Sequence, residues 1–235
     1  MALSETQQLP ADVLSRLQQC ERILRDLGRV AVAVSGGMDS SFLLAVSVET
    51  LGVENVVAIT AVSTIFPQVE VRAARETAEQ LGVELVEMPT QQLADPQFTA
   101  NPEDRCYYCK SRMFSRMKTL AAEREATVVS GANLDDTDDY RPGARAEQQL
   151  AIRRPLLEAS IGKRDIRRIC EARGWDFSQR PSSACLASRI PYGRPITPKV
   201  LRRIEEAEDF LRAMGCPQMR VRDHGPVARI EVPDE

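Results

Sequence analysis

The sequence has a single histidine, His224, and it falls in a stretch that reads as a hairpin turn. This scarcity argues against a zinc site, which would need a fourth protein ligand beside the cysteines. No apolar run approaches the length of a membrane-spanning helix. The first residues, MALSETQQLPADVL, have no basic stretch leading into an apolar one, so no secretory signal is read and a cytoplasmic protein is expected. A net charge of -3 and a pI near 5.5 provide no broad basic surface for nucleic acid, although a local basic pocket remains compatible. Internal repeats and low-complexity segments are absent. The 235 residues suit one large α/β domain with a smaller appendage.

The most informative stretch is 30–44, VAVAVSGGMDSSFLL. A run of β-formers breaks into Ser35-Gly36-Gly37-Met38-Asp39-Ser40 and passes at once into an apolar helix start. A strand, a glycine turn and a helix N-terminus aim backbone N–H groups and a positive dipole end at one point, which stabilises an anion. Gly36 and Gly37 let the main chain approach a ligand closely, and Ser35, Ser40 and Ser41 add hydroxyls. Asp39 suits such a nest if a divalent cation, Mg2+, bridges it to phosphate oxygens. The Walker spacing and its lysine are missing. The segment instead resembles SGGxDS, the signature of the PP-loop ATP pyrophosphatases, which grip the pyrophosphate of ATP and transfer AMP to an oxygen of a substrate.

Periodicity gives the frame. Val13, Leu17, Cys20, Ile23, Leu24 and Leu27 recur at helical spacing up to Gly28. Strands are expected over 30–34, 55–62, 84–88 and 127–130. Helices are expected from the glycine turn to about residue 51, over 70–81, around 113–121 and over 163–173. Strands alternating with helices predict an α/β fold, a doubly wound, Rossmann-like parallel sheet that binds ligands at the carboxyl ends of its strands. The texture changes after 173. Residues 176–198 carry four prolines and read as a linker or a shaped active-site loop. Thr197 and Pro198 then start a helix to about Met214. The tail reads as a hairpin with Met219, Val221, Ile230 and Val232 on one face and Arg220, Arg222, Arg229 and Glu231 on the other. Two domains are expected, 1–175 and a small α+β unit over 176–235.

Several residues are placed to carry chemistry. Gly131, Asn133, Asp135 and Asp136 follow the 127–130 strand and face the expected nucleotide site; Asp138 and Asp139 read as a solvated acidic loop. Ala61, at a strand end, suits main-chain contacts to adenine. The six cysteines are not expected to form a disulfide framework in a cytosolic α/β protein. Cys20 and Cys170 read as core residues and Cys216 as structural. Cys106 and Cys109 form a C-x-x-C at a helix start, flanked by Arg105, Lys110 and Arg112, which favour thiolates electrostatically. A metal centre and a redox pair are both open readings of that motif. Cys185 lies in the proline-rich segment beside Ser188 and Arg189, which suit an anionic substrate. Three cysteines suit a [4Fe–4S] cluster with one iron open to sulfide. Arg220, Arg222 and Glu231 form a candidate phosphate and cation site.

SGGMDS, GANLDD, RCYYCK, SSACLASRIPYG and the RVRD–ARIEV tail together resemble the LarE family of ATP-dependent sulfur transferases. The resemblance implies that ATP adenylylates a carboxylate of pyridinium-3,5-biscarboxylic acid mononucleotide and that a protein-held sulfur displaces AMP. The product is the thiocarboxylate precursor of the nickel-pincer cofactor of lactate racemase. It implies that Ser35 to Ser40 hold ATP phosphates with Asp39 on magnesium and that Lys110 lies near the activated carboxylate. Ser188, Arg220 and Arg222 would grip the substrate phosphate, and Glu208 and Glu231 would bind a metal. One version of the family sacrifices the sulfur of a single cysteine, here Cys185. The other holds a [4Fe–4S] cluster on three, here Cys106, Cys109 and Cys185, and takes sulfide or another sulfur donor. Homo-oligomers are expected. A PP-loop tRNA thiolase is the rival reading, weakened by the lack of a basic RNA surface.

Overall fold

The computed structural model describes residues 9–136, 142–179 and 184–232. Its elements run α1 (Ala11–Leu27), β1 (Val30–Ala33), α2 (Met38–Leu51), β2 (Val56–Val62), α3 (Gln68–Gln80), β3 (Glu84–Pro89) and α4 (Pro96–Thr99). Then follow α5 (Arg105–Ala122), β4 (Thr127–Ser130), α6 (Pro142–Gln149), α7 (Pro155–Glu158), α8 (Lys163–Arg173), α9 (Pro198–Ala213), β5 (Arg220–Asp223) and β6 (Ala228–Glu231). The expected α/β class is observed: β1 to β4 form a parallel sheet in the order β3-β2-β1-β4.

That order places the site. From β1 the chain moves outward through β2 and β3, then returns to the other side of β1 as β4. The segments leaving β1 and β4 therefore part at the carboxyl edge, where a parallel sheet opens a crevice. The strands are continuous runs of Val, Ala and Ile because helices cover both faces. On one face Val13, Leu17 and Leu24 of α1, Phe42 and Leu44 of α2 and Ile166 and Ile169 of α8 pack against Val30, Val32 and Val129. On the other, Phe114, Met117 and Ala121 of α5 cover Ala31, Ile59 and Val128. Each leucine-sized side chain so buried contributes roughly 2 kcal/mol.

The proline-rich segment is a shaped loop, and a third core fixes it. Leu186, Ala187, Ile190 and Ile196 pack with Leu201 and Ile204 of α9 against Ile65 and Phe98. Backbone bonds run from Leu186 N to Ile65 O and from Ile196 N to Thr99 O. The main tie is Asn101, fully buried with φ 57°. Its amide nitrogen donates to the carbonyls of Pro191 at 2.8 Å and Arg194 at 2.9 Å, and its amide oxygen accepts from Arg105 Nη1. Gly193 N in turn donates to Asn101 O, and the Arg105 guanidinium lies 4.4 Å from the centre of the Tyr192 ring. The start of α5 and the 184–197 loop are thereby stitched together.

Thr197 caps α9 through its side chain with Pro198 at the first position. The hairpin has the expected register, with Arg220 opposite Glu231 and Val221 opposite Ile230. Its apolar face is only half used, because Val221 is buried whereas Ile230 and Val232 are exposed. Cys216, read as structural, is exposed at the end of α9. The short helices α4, α6 and α7 had no periodic signal; at four to eight residues they are too brief to show one.

Asn101→Asp keeps the side-chain shape and the tolerance for left-handed backbone but replaces the donor with an acceptor facing carbonyls. It is expected to cost about 3 kcal/mol, the penalty of buried unmade hydrogen bonds, seen as a lower urea midpoint.

Candidate active site

The nest at the end of β1 is built by glycine and serine. Gly36 has φ +86°, and a Cβ there would run into the Glu70 carbonyl, so only glycine fits. Ser40 Oγ donates to Gly37 O and accepts from Ser35 N, folding the turn on itself. Gly37 caps α2 without a side chain, so the first-turn N–H groups around Met38 and Asp39 are left for a ligand. Gly131, one residue past β4, packs against the same turn: a Cβ there would lie 2.9 Å from Ser40 N.

Among the described residues Asp39 Oδ1 and Asn133 Nδ2 are buried at this crevice with no hydrogen-bond partner. Burial, aided by Asp136 and Asp135 and opposed by Lys163 and Arg167, lifts the Asp39 carboxyl to about 6. Magnesium usually binds one or two carboxylates together with substrate phosphates, and one orphaned carboxylate oxygen beside an anion nest fits that need. Asp135 is arranged otherwise: its Oδ2 accepts from Lys163 N at 2.6 Å and caps α8 from outside the helix. That contact fixes Asp135, expected at the nucleotide site, beside the start of α8 and Lys163. Ala61 lies at the end of β2 opposite Met88. Asp138 and Asp139 fall outside the described residues.

The three cysteines are neighbours. Burial, then Cys185 and Cys106, pushes the Cys109 thiol up to about 12. Burial and Cys106 raise Cys185, against the pull of Arg105. Lys110 and Arg105 pull these two thiols in the expected direction, towards thiolate, but burial outweighs them. The flanking cations are engaged elsewhere: Arg105 with Asn101, Lys110 with Glu147, and Arg112 with Asp95 at 3.0 Å. Three soft donors converging suit a thiolate-held centre in kind, yet among the described residues no three cysteine, histidine or acidic groups are drawn to metal-binding spacing.

Around Cys185 the loop is framed by a buried ion pair. Arg189 and Glu208 are each 2% exposed, and the guanidinium binds both carboxylate oxygens, at 2.9 and 3.2 Å. Arg189 Nη1 also donates to Ala184 O, Cys185 O and Ser188 Oγ, while Glu208 Oε1 accepts from Val221 N. Arg189, expected at a substrate phosphate, and Glu208, expected at a metal, are here closed on each other. Glu231, the other expected metal ligand, is held at about 2 by hydrogen bonds from Arg222 and Arg229 despite some burial. Of the expected phosphate set Ser188, Arg220 and Arg222, Arg222 is itself paired with Glu231, at 2.8 Å through Nε and 2.7 Å through Nη2. Arg222 Nη1 donates to Ser188 O at 2.8 Å, tying the hairpin to the loop, and Arg220 is exposed on the same hairpin face. The residues missed in the sequence are Lys163, Arg167, Glu147 and Asn101; only the first two left a signal, a basic helix start.

A glycine-serine nest under a helix N-terminus, at the reversal point of a parallel sheet, marks a PP-loop ATP pyrophosphatase. Residues 21–132 match the NAD synthase family. The chain is 40% identical over 222 residues to an uncharacterized protein of Synechocystis sp., covering 94% of this chain and 82% of that protein. It is 37% identical over 212 residues to the pyridinium-3,5-bisthiocarboxylic acid mononucleotide synthase of Lactiplantibacillus plantarum, covering 90% and 77%. An uncharacterized protein of Methanocaldococcus jannaschii is 37% identical over 139 residues, 57% of this chain and 53% of that one. The chain belongs to the family of the L. plantarum synthase, the LarE family of ATP-dependent sulfur transferases. Among the described residues no helix is long and apolar enough to cross a membrane.

Two outcomes follow from the shifted groups. Because the folded state favours protonated Asp39, charging it lowers stability as pH rises from 3.8 to about 6. Asp39→Asn should therefore stabilise the ligand-free protein by about 3 kcal/mol at pH 7.5, while calorimetry shows Mg–ATP binding lost. In the wild type, Mg2+ affinity in the presence of ATP should fall about tenfold per pH unit below 6. Iodoacetamide at pH 7.5 should label exposed Cys216 first, Cys109 and Cys185 well after it, and the core thiols Cys20 and Cys170 last, as followed by peptide mass spectrometry.

Proposed function

We propose that this chain adenylylates a carboxylate of pyridinium-3,5-biscarboxylic acid mononucleotide and exchanges the AMP for sulfur, supplying the thiocarboxylates of a nickel-pincer nucleotide. A carboxylate oxygen attacks the α-phosphorus of ATP and pyrophosphate leaves. Sulfide then attacks the acyl carbon, the C–S bond forms, and the C–O bond to AMP breaks.

The reading rests above all on one observation: a short line of contacts joins the cysteine helix to the nucleotide nest. Lys110, beside Cys109, pairs with Glu147; Glu147 accepts from Ser130 Oγ; and Gly131, next in the chain, abuts Ser40. In this reading the nest Ser35 to Ser40 holds the pyrophosphate, Asp39 takes magnesium, and Lys163 and Arg167 add positive charge. The main chain at Ala61 receives adenine. Lys110 sits at the carboxylate being activated. Ser188, Arg220 and Arg222 hold the nucleotide phosphate of the substrate, on a frame set by Arg189 and Glu208.

Cys106, Cys109 and Cys185 would hold a [4Fe–4S] cluster, which supplies an open iron able to carry sulfide. The three thiols are neighbours and each is only partly exposed, which suits a donor group for such a centre. A cytoplasmic location suits that chemistry. Self-association is part of the same reading, supported by exposed Phe210, Met214, Ile230 and Val232.

Anaerobic purification should give a brown protein with about four irons and matching acid-labile sulfide per chain, and Cys106→Ser or Cys185→Ser should lose both. An iron-free protein whose Cys185 loses the elements of hydrogen sulfide after one turnover would refute the cluster and identify a sacrificial cysteine.

A further inference from the structure

Glu147 lies on α6 and is 3% exposed. A carboxylate so placed is costly unless paired and hydrogen-bonded. Here both oxygens are engaged: Oε1 with the Lys110 ammonium and Oε2 with Ser130 Oγ at 3.1 Å. Gly143, one turn earlier on α6, is bare where the lysine stem passes. A Cβ there would sit 2.6 Å from Lys110 Cδ and 3.0 Å from Cε. The helix thus offers a trough for the four-carbon stem and an anchor for its head.

The trough opens toward the site. The Lys110 side chain is 40% exposed, and Nζ lies 5.8 Å from the Phe114 ring centre. An ammonium has three N–H donors, so one bond to Glu147 leaves two for a ligand. Cys106 lies four residues before Lys110, on the same face of α5. Ser130 ends β4 directly before Gly131, so the carboxylate is fixed from the strand edge that also walls the nucleotide nest.

We propose that Glu147 is a positioning residue: the Ser130–Glu147–Lys110 relay, with the Gly143 trough, holds the ammonium where the substrate carboxylate meets ATP. It rests on the reading of Lys110 given above. Glu147 touches neither substrate nor nucleotide. Its effect is to remove the rotamer freedom of a long flexible lysine, so that no ordering is left for the transition state.

Glu147→Gln keeps the shape and a partner for Ser130 but removes the charge. Lys110→Met is made in both backgrounds, so that no buried carboxylate is left unpaired in the double variant. Substrate-dependent pyrophosphate release should fall ten- to hundredfold in kcat for Glu147→Gln, with KM for ATP within twofold of wild type. The double variant should be no slower than Lys110→Met alone, as expected for two groups acting as a unit. Glu147→Asp should recover part of the rate. Losses that multiply in the double variant, or a Glu147→Gln enzyme at full rate, would overturn the role of Glu147 while leaving that of Lys110 standing. A Lys110→Met enzyme at full rate would overturn both.

Discussion

The arrangement depends first on the carboxamide of Asn101. Its nitrogen binds two carbonyls of the 184–197 loop and its oxygen takes the Arg105 guanidinium at the head of the cysteine helix. Cys106 and Cys109 on one side and Cys185 on the other are about eighty residues apart in the chain. Hydrophobic packing around Ile65 and Phe98 brings the segments close, but packing has no direction. The amide supplies the direction, and its left-handed backbone turns the chain sharply into α5.

A second theme is that charge near the thiols is kept in pairs. Arg189 closes on Glu208, Arg112 on Asp95 and Lys110 on Glu147, so the cations that border the cysteines do not act on them freely. Burial then dominates, and Cys109 and Cys185 are held as thiols. Binding a metal centre would release those protons, making its assembly pH-dependent. The Arg189–Glu208 pair also reaches Val221 and the carbonyls at 184 and 185, so one buried salt bridge sets the loop, α9 and the hairpin at once.

Much of this was legible in the sequence, for local reasons. The nest, the strands 30–33 and 127–130, the Gly28 stop and the Thr197 cap each depend on neighbours a few residues away. The hairpin register followed from its alternation. What stayed hidden depends on partners distant in the chain: Asn101 with Pro191 and Arg194, Glu147 with Lys110, and Arg189 with Glu208. Arg189 and Glu208 show the limit well. As residue types they look like ligand groups, and only the fold reveals that they face each other. The exposed half of the hairpin has the same origin, because alternation tells which residues share a face and not whether anything covers it.

The residue after Asn101 is Pro102, and this bears on the durability of the protein. Asparagine ages mainly when the backbone nitrogen of the next residue attacks its side chain, and proline has no N–H with which to do so. The alternative, in which the side-chain nitrogen cleaves its own peptide bond, needs that nitrogen free, and here two carbonyls hold it. The amide that joins the cysteine segments is thus shielded from both routes of spontaneous decay, and the joint should hold for the lifetime of the folded chain.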